Sequence, residues 1–259
     1  MALTTETVAA QGVARSMITR GVAALFALAV LAALGAAPAL IIGFADRSDI
    51  HAFHGVEWGL LAGVLFAGSM IRLALRPTHS PAAVLTMLTV GVTFAAVSAA
   101  TGVLDGQTLT PLVMAVVLAV AAGGPWLPTT FRPGALPMAA LAVVAAAAGL
   151  MHAVTQMGYQ TSRADEHAAD LHYAGAAIIG IAIPLVAYLL STRPGGYRVQ
   201  AALVSVVAIV VGMASLLIDQ VGALDTLPAL GAIAWGGAFG AAAWIDGLRP
   251  TASGGERHV

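Results

Sequence analysis

Residues 21–45 read GVAALFALAVLAALGAAPALIIGFA, 25 residues without one ionisable side chain. A helix needs about 20 consecutive apolar residues to cross a bilayer, and this run exceeds that. It is rich in Ala and Leu and does not alternate apolar with polar residues, as a strand of a membrane barrel would. The stretch therefore predicts a membrane-spanning helix. Arg15 and Arg20 precede it as a signal peptide's basic region would. The run is nevertheless too long for a signal and lacks a polar cleavage context, so a retained first span is expected.

The rest of the chain has the same texture. Its 259 residues are 59% hydrophobic and 9% charged, with a mean hydropathy of +0.92. Soluble domains are nearer a quarter charged, and a core of this size cannot absorb so much apolar surface. The fold class expected is all-α, a polytopic membrane protein. Eight spans follow, at about 21–45, 55–75, 82–104, 110–127, 135–158, 171–191, 199–218 and 227–246. Abundant Gly and Ala supply faces on which helices approach closely in lipid.

Every basic residue other than histidine is arginine. Eight spans put Arg15, Arg20, Arg72, Arg76, Arg132, Arg193, Arg198, Arg249 and Arg257 on one side, leaving only Arg47 and Arg163 on the other. That second side carries Asp46, Asp49, Asp105, Asp165, Glu166, Asp170, Asp219 and Asp225. The arginine bias predicts a cell-membrane protein with both termini cytoplasmic. Trp58, Tyr159 and Tyr173 read as an outer aromatic belt, with Trp126 and Trp244 on the inner side.

Polar landmarks recur about 116 residues apart. RSDIHAFHGVEWGLLAG begins at Arg47 and RADEHAADLHYAGAAIIG at Arg163; LRPTHSP and STRPGG follow them. This predicts two parallel, pseudo-repeated four-helix halves, 21–130 and 131–247, between cytoplasmic tails at 1–20 and 248–259.

The landmarks also place chemistry. His51 and His54 open the second span, and His167 and His172 open the sixth. His152 lies in the fifth, six residues before its expected outer end, or about 9 Å deep at the helical rise. Glu57 falls inside a span, where a carboxyl group pairs, binds something or stays protonated. His51, His54, His152, His167, His172 and Asp170 form a candidate ligand set suited to zinc, copper or iron rather than calcium or magnesium. Met151 and Met157 flank His152 and keep Cu(I) open, and haem b is a further candidate. Glu57 is the candidate catalytic base or an additional ligand. A histidine at a membrane mouth also serves simply as an interfacial polar residue, and that reading competes for each one singly.

The outline resembles that of the haem A synthases: eight spans, two four-helix halves, and outer histidines with a nearby glutamate opening even-numbered spans. The resemblance maps onto His54, Glu57 and His172 and implies haem-linked chemistry. The fourth and eighth spans, where that family carries partner histidines, have none here, so the activity does not carry over.

Much is excluded. With no cysteine there is no disulfide, thiolate metal site or cysteine-held iron–sulfur cluster. With no lysine there is no Walker-type lysine or retinal Schiff base. No basic tract points to nucleic acid. The leading expectation is an outer-face His/Glu metalloprotein acting by redox or hydrolytic chemistry on a lipophilic substrate. A proton- or cation-coupled transporter and an accessory subunit bound to other membrane subunits are the alternatives, and enzyme status stays open between them. The topology has a direct test. Cysteines at Ser48 and Ser162 are expected to react with a membrane-impermeant maleimide in intact cells, and those at Thr78 and Ser191 are not.

Overall fold

A computed structural model describes residues 5–124, 133–220 and 222–248. Trp126, Arg132, Arg249, Arg257 and His258 lie outside them. Among the described residues, seven helices are long and apolar enough to cross a membrane: Gln11–Ala45, Ala52–Leu75, Pro81–Ala100, Leu136–Ser162, His172–Ser191, Tyr197–Leu217 and Thr226–Asp246. An eighth apolar helix, Gly106–Ala122, has 17 residues, the short limit for a span. The protein is an all-α, multi-pass membrane protein. Below, the helices are counted in chain order, with Gly106–Ala122 as the fourth.

Local chemistry explains where the ends differ from expectation. The fourth helix starts at Gly106 rather than 110, because Asp105 Oδ1 accepts the Thr108 N–H at 2.8 Å while Thr108 Oγ1 accepts the Asp105 N–H at 2.9 Å. That reciprocal cap satisfies two donors that a helix start leaves open. The helix stops at Gly123, whose φ of 56° is left-handed. The first helix begins at Thr5, so residues expected as a tail are helical. Thr19 Oγ1 donates to Ala121 O at 2.8 Å, and Arg15 Nη1 donates to Gly123 O at 3.2 Å. These contacts tie its start to the end of the fourth helix.

The first helix is broken at Leu34–Gly35, where Gly35 takes a φ of 70°. The Trp58 indole donates to Leu34 O at 3.1 Å and satisfies a carbonyl that the break sets free. A nine-residue π-helical stretch, Gly59–Ala67, interrupts the second helix directly below Glu57.

The first helix packs on the second and fourth, and the third on the second and fourth. The fifth packs on the sixth and eighth, and the seventh on the sixth and eighth. These two groups meet through the second, third, sixth and seventh helices. In those four, 56–67% of the most apolar window is buried, against 17–22% in the first, fifth and eighth. The inner four are therefore the core, and the other three turn most of their surface to lipid.

Glycine makes the tightest crossings. A Cβ on Gly180 would lie 2.6 Å from Gly149 O, and one on Gly149 would run into Gly180 O. A Cβ on Gly43 would sit 2.5 Å from Ala52 O, and one on Gly59 would run into Leu40. Ser191 is fully buried, so the labelling test on that side rests on Thr78. Gly149→Val is expected to force the fifth and sixth helices apart and cost about 1–3 kcal/mol, the usual range for overpacking. A lowered thermal midpoint in detergent checks it; Gly158→Val, with nothing within 4 Å of its Cβ position, is the neutral control.

Candidate metal centre

Two helix mouths, far apart in sequence, bring the histidines together. Asp49 Oδ1 accepts the His51 N–H at 2.8 Å, fixing the turn before the second helix. Asp165 Oδ1 accepts the Ala168 N–H at 2.9 Å and caps the short helix Glu166–Ala169 that carries His167. Each aspartate shapes the turn that presents a histidine, Asp49 through the N–H two residues on and Asp165 through the N–H three residues on. His172 follows Leu171, whose φ of 61° is left-handed. A bulky residue there is held against its preference by its surroundings.

The imidazole nitrogens of His51, His167 and His172 all lie within 4.8 Å of one another. A tetrahedral zinc ion with Zn–N of about 2.0–2.1 Å holds its nitrogens about 3.3 Å apart, so binding would draw the three rings closer together. These three residues could coordinate a metal ion. His54 borders them, stacked on His172 with ring centroids 4.4 Å apart and 16° between planes, and edge-on to His167 at 5.3 Å. Asp170 Oδ2 lies 4.0 Å from His51 Nε2. The Nδ1 atoms of His51 and His172 are shielded from solvent and have no hydrogen-bond partner among the described residues. His167 Nε2 lies 3.3 Å from Ile50 O.

Burial grades the cluster. The His51 side chain is 34% exposed and that of Asp170 59%, whereas His54 and Glu57 are 4% and 5% exposed. Water reaches the three-histidine group but not the pair beneath it. His54 Nδ1 and Glu57 Oε2 are 3.0 Å apart, so the carboxyl group fixes the ring. His152 couples electrostatically to Glu57 from the fifth helix. That helix runs to Ser162 rather than 158. His152 is therefore about 15 Å from its end rather than about 9 Å, and the converging nitrogens belong to His51, His167 and His172, not to His152.

Supporting residues were not apparent from the sequence. Gln220 Oε1 accepts the Phe53 N–H at 2.9 Å, and its amide donates to Asp49 O. Gln160 Oε1 accepts the Ala174 N–H at 3.1 Å, and its amide donates to Ala168 O at 2.7 Å. Each glutamine satisfies a helix-start donor and ties it to the adjoining loop. Gly222, with φ 96°, comes so close that a Cβ there would lie 2.8 Å from His54 Cε1. The signal for part of this was present: His152, Gln156 and Gln160 recur every four residues on one face of an apolar helix.

Tyr173 is fully buried, which corrects its reading as a belt residue. Its hydroxyl donates to Asp165 Oδ2 at 2.9 Å and accepts from Arg163 Nη1 at 3.1 Å.

The Ala168 N–H holds the Asp165 carboxyl below its ordinary range, with the Tyr173 hydroxyl, His167 and Arg163 adding to the effect and desolvation opposing it. A lowered carboxyl pKa stabilises the fold above the unfolded value, and that contribution is lost as pH falls through the folded value. Asp165→Ala is therefore expected to lower the thermal midpoint above about pH 4. The difference from wild type should shrink on further acidification, as melting curves across pH will report.

The chain matches no protein-family model, and comparison with curated proteins and with solved structures returns no match.

Proposed function

We propose that the protein is a membrane metalloprotein whose site lies at the outer mouths of the second and sixth helices. The observation that carries this reading is the convergence of His51, His167 and His172, with nitrogens within 4.8 Å, from two stretches of like sequence. Three neutral imidazoles suit zinc, copper or iron. They leave a fourth position for water, substrate or the nearby Asp170 carboxylate.

The ion is read as bare rather than held in haem b. The imidazoles pack directly on one another, with centroids 4.4–5.7 Å apart, and a macrocycle between two of them would have to part the cluster. His54 and Glu57 serve as an inner layer. A carboxyl group that orients a histidine beside a metal raises its basicity and fixes its ring, and Glu57 is placed to accept a proton through His54. Access from water on one side and lipid-facing helices on the other fit redox or hydrolytic chemistry on a lipophilic substrate.

The helix pairing supports the two-half architecture of 21–130 and 131–247. First-on-second, third-on-fourth, first-on-fourth and second-on-third correspond in turn to fifth-on-sixth, seventh-on-eighth, fifth-on-eighth and sixth-on-seventh. In that arrangement the ion sits between the halves, and the arginine bias places it outside with both termini cytoplasmic.

Elemental analysis of gently purified protein, with an optical spectrum, tests the site. About one zinc, copper or iron per chain is expected. His51→Ala, His167→Ala and His172→Ala should each remove most of it, while Glu57→Gln, which touches only the inner layer, should weaken affinity by about 10–100-fold at most. Metal content unchanged in all three histidine variants, or a Soret band in place of a bare ion, would overturn the assignment.

A further inference from the structure

Four histidines crowd the two outer mouths, yet the nitrogens that converge are those of His51, His167 and His172. The fourth, His54, stands in a different pose. Its ring is stacked on that of His172, with centroids 4.4 Å apart and 16° between planes. A neutral imidazole binds a metal through a ring nitrogen, whose lone pair lies in the ring plane, so the ion sits close to that plane. Two rings stacked almost parallel share no such point near their nitrogens. His54 and His172 therefore do not hold the same ion while they are stacked.

The stacked pose is gripped from two sides. Glu57 Oε2 lies 3.0 Å from His54 Nδ1. Gly222 covers the next edge of the ring, where a Cβ would lie 2.8 Å from Cε1 and 3.5 Å from Nε2. Its φ of 96° also favours glycine. The loop that carries Gly222 is tied down around it. The Ala223 N–H donates to Gln220 O at 3.1 Å, and the Leu224 N–H donates to Ser215 Oγ at 3.1 Å. The Gln220 side chain is itself bonded to the Phe53 N–H and Asp49 O. The loop after the seventh helix and the mouth of the second thus hold the ring between them, and His54 is 4% exposed.

A zinc ion with four protein ligands is structural, whereas one with three keeps a position for water or substrate. We propose that Gly222 and Glu57 are positioning residues that hold His54 out of the metal shell. They keep one coordination position open to an exchangeable small anion: hydroxide formed from water, or an anionic oxygen or nitrogen of a substrate. This inference rests on the metal reading above. Asp170, 4.0 Å from His51 Nε2 and largely exposed, is the one side chain beside the three histidines that competes for the position, and water reaches it freely.

Full-length protein loaded with Cu(II) provides the test, with azide as the probe anion. Pulsed EPR counts the coordinated imidazoles, and the azide-to-copper charge-transfer band reports anion binding. Three imidazoles and a saturable azide band are expected. His54→Gln, which keeps a hydrogen bond for Glu57 but has no ring nitrogen, should retain about one copper per chain and all three imidazoles. Gly222→Ala, which presses on the ring, should change the azide Kd about tenfold or more. That change should vanish in the His54→Gln background, since Gly222 acts through the ring. Should Gly222→Ala fail to fold, the imidazole count in wild type and His54→Gln decides. Four imidazoles falling to three in His54→Gln, or no azide band in wild type, overturns this inference and leaves the metal reading standing. An equal effect of Gly222→Ala in both backgrounds overturns the role of Gly222. No copper uptake by wild type overturns both readings.

Discussion

Lipid gives helices no hydrophobic reason to associate, because the tails are as apolar as the side chains. What holds this bundle is close approach, and close approach requires glycine. At Gly149 and Gly180 two backbones meet with no room for a methyl group, and Gly43 and Gly59 do the same between the first and second helices. These crossings fix the first helix on the second and the fifth on the sixth. The imidazoles meet elsewhere, where the mouths of the second and sixth helices come together.

A second constraint acts at the helix mouths, where backbone donors have no partner within their own helix. Aspartates shape the turns before the second helix and within the loop preceding the sixth, and one glutamine serves each helix start. Gln220 reaches the second helix from the loop after the seventh, whereas Gln160 reaches the sixth from the end of the fifth. The same backbone need is met from different places in the chain. The imidazoles are therefore held by a hydrogen-bonded rim as well as by packing, and the first layer of the site has a second layer that orders it.

Residue types whose role follows from local chemistry were legible in the sequence. Long apolar runs without charge announced the helices, and histidines at the mouths of the second and sixth announced side chains that the fold brings together. The start of the fourth helix was misplaced because Asp105 and Thr108 cap one another, and a polar quartet ahead of an apolar run reads as loop unless that cap is noticed. Tyr173 was misread because an aromatic residue near a helix end ordinarily anchors at the interface. Only the folded chain brings Asp165 and Arg163 onto its hydroxyl. Gly222 could not be found at all, since its role is to leave room for a ring 168 positions earlier. The end of the fifth helix was also hidden: it continues past the expected end at 158 to Ser162, through polar residues that look like a loop, so His152 lies further from that end than expected.

The histidine group also has a place in the order of synthesis. His51 and His54 leave the ribosome more than a hundred residues before His167 and His172. A nascent chain that has inserted only its first four helices offers two imidazoles and a glutamate at one mouth, with nothing opposite them. The cluster comes into being when the sixth helix enters the membrane and docks against the second. Its formation thus reports that two separately inserted parts of the chain have met, and a ligand that draws on the full set favours that meeting.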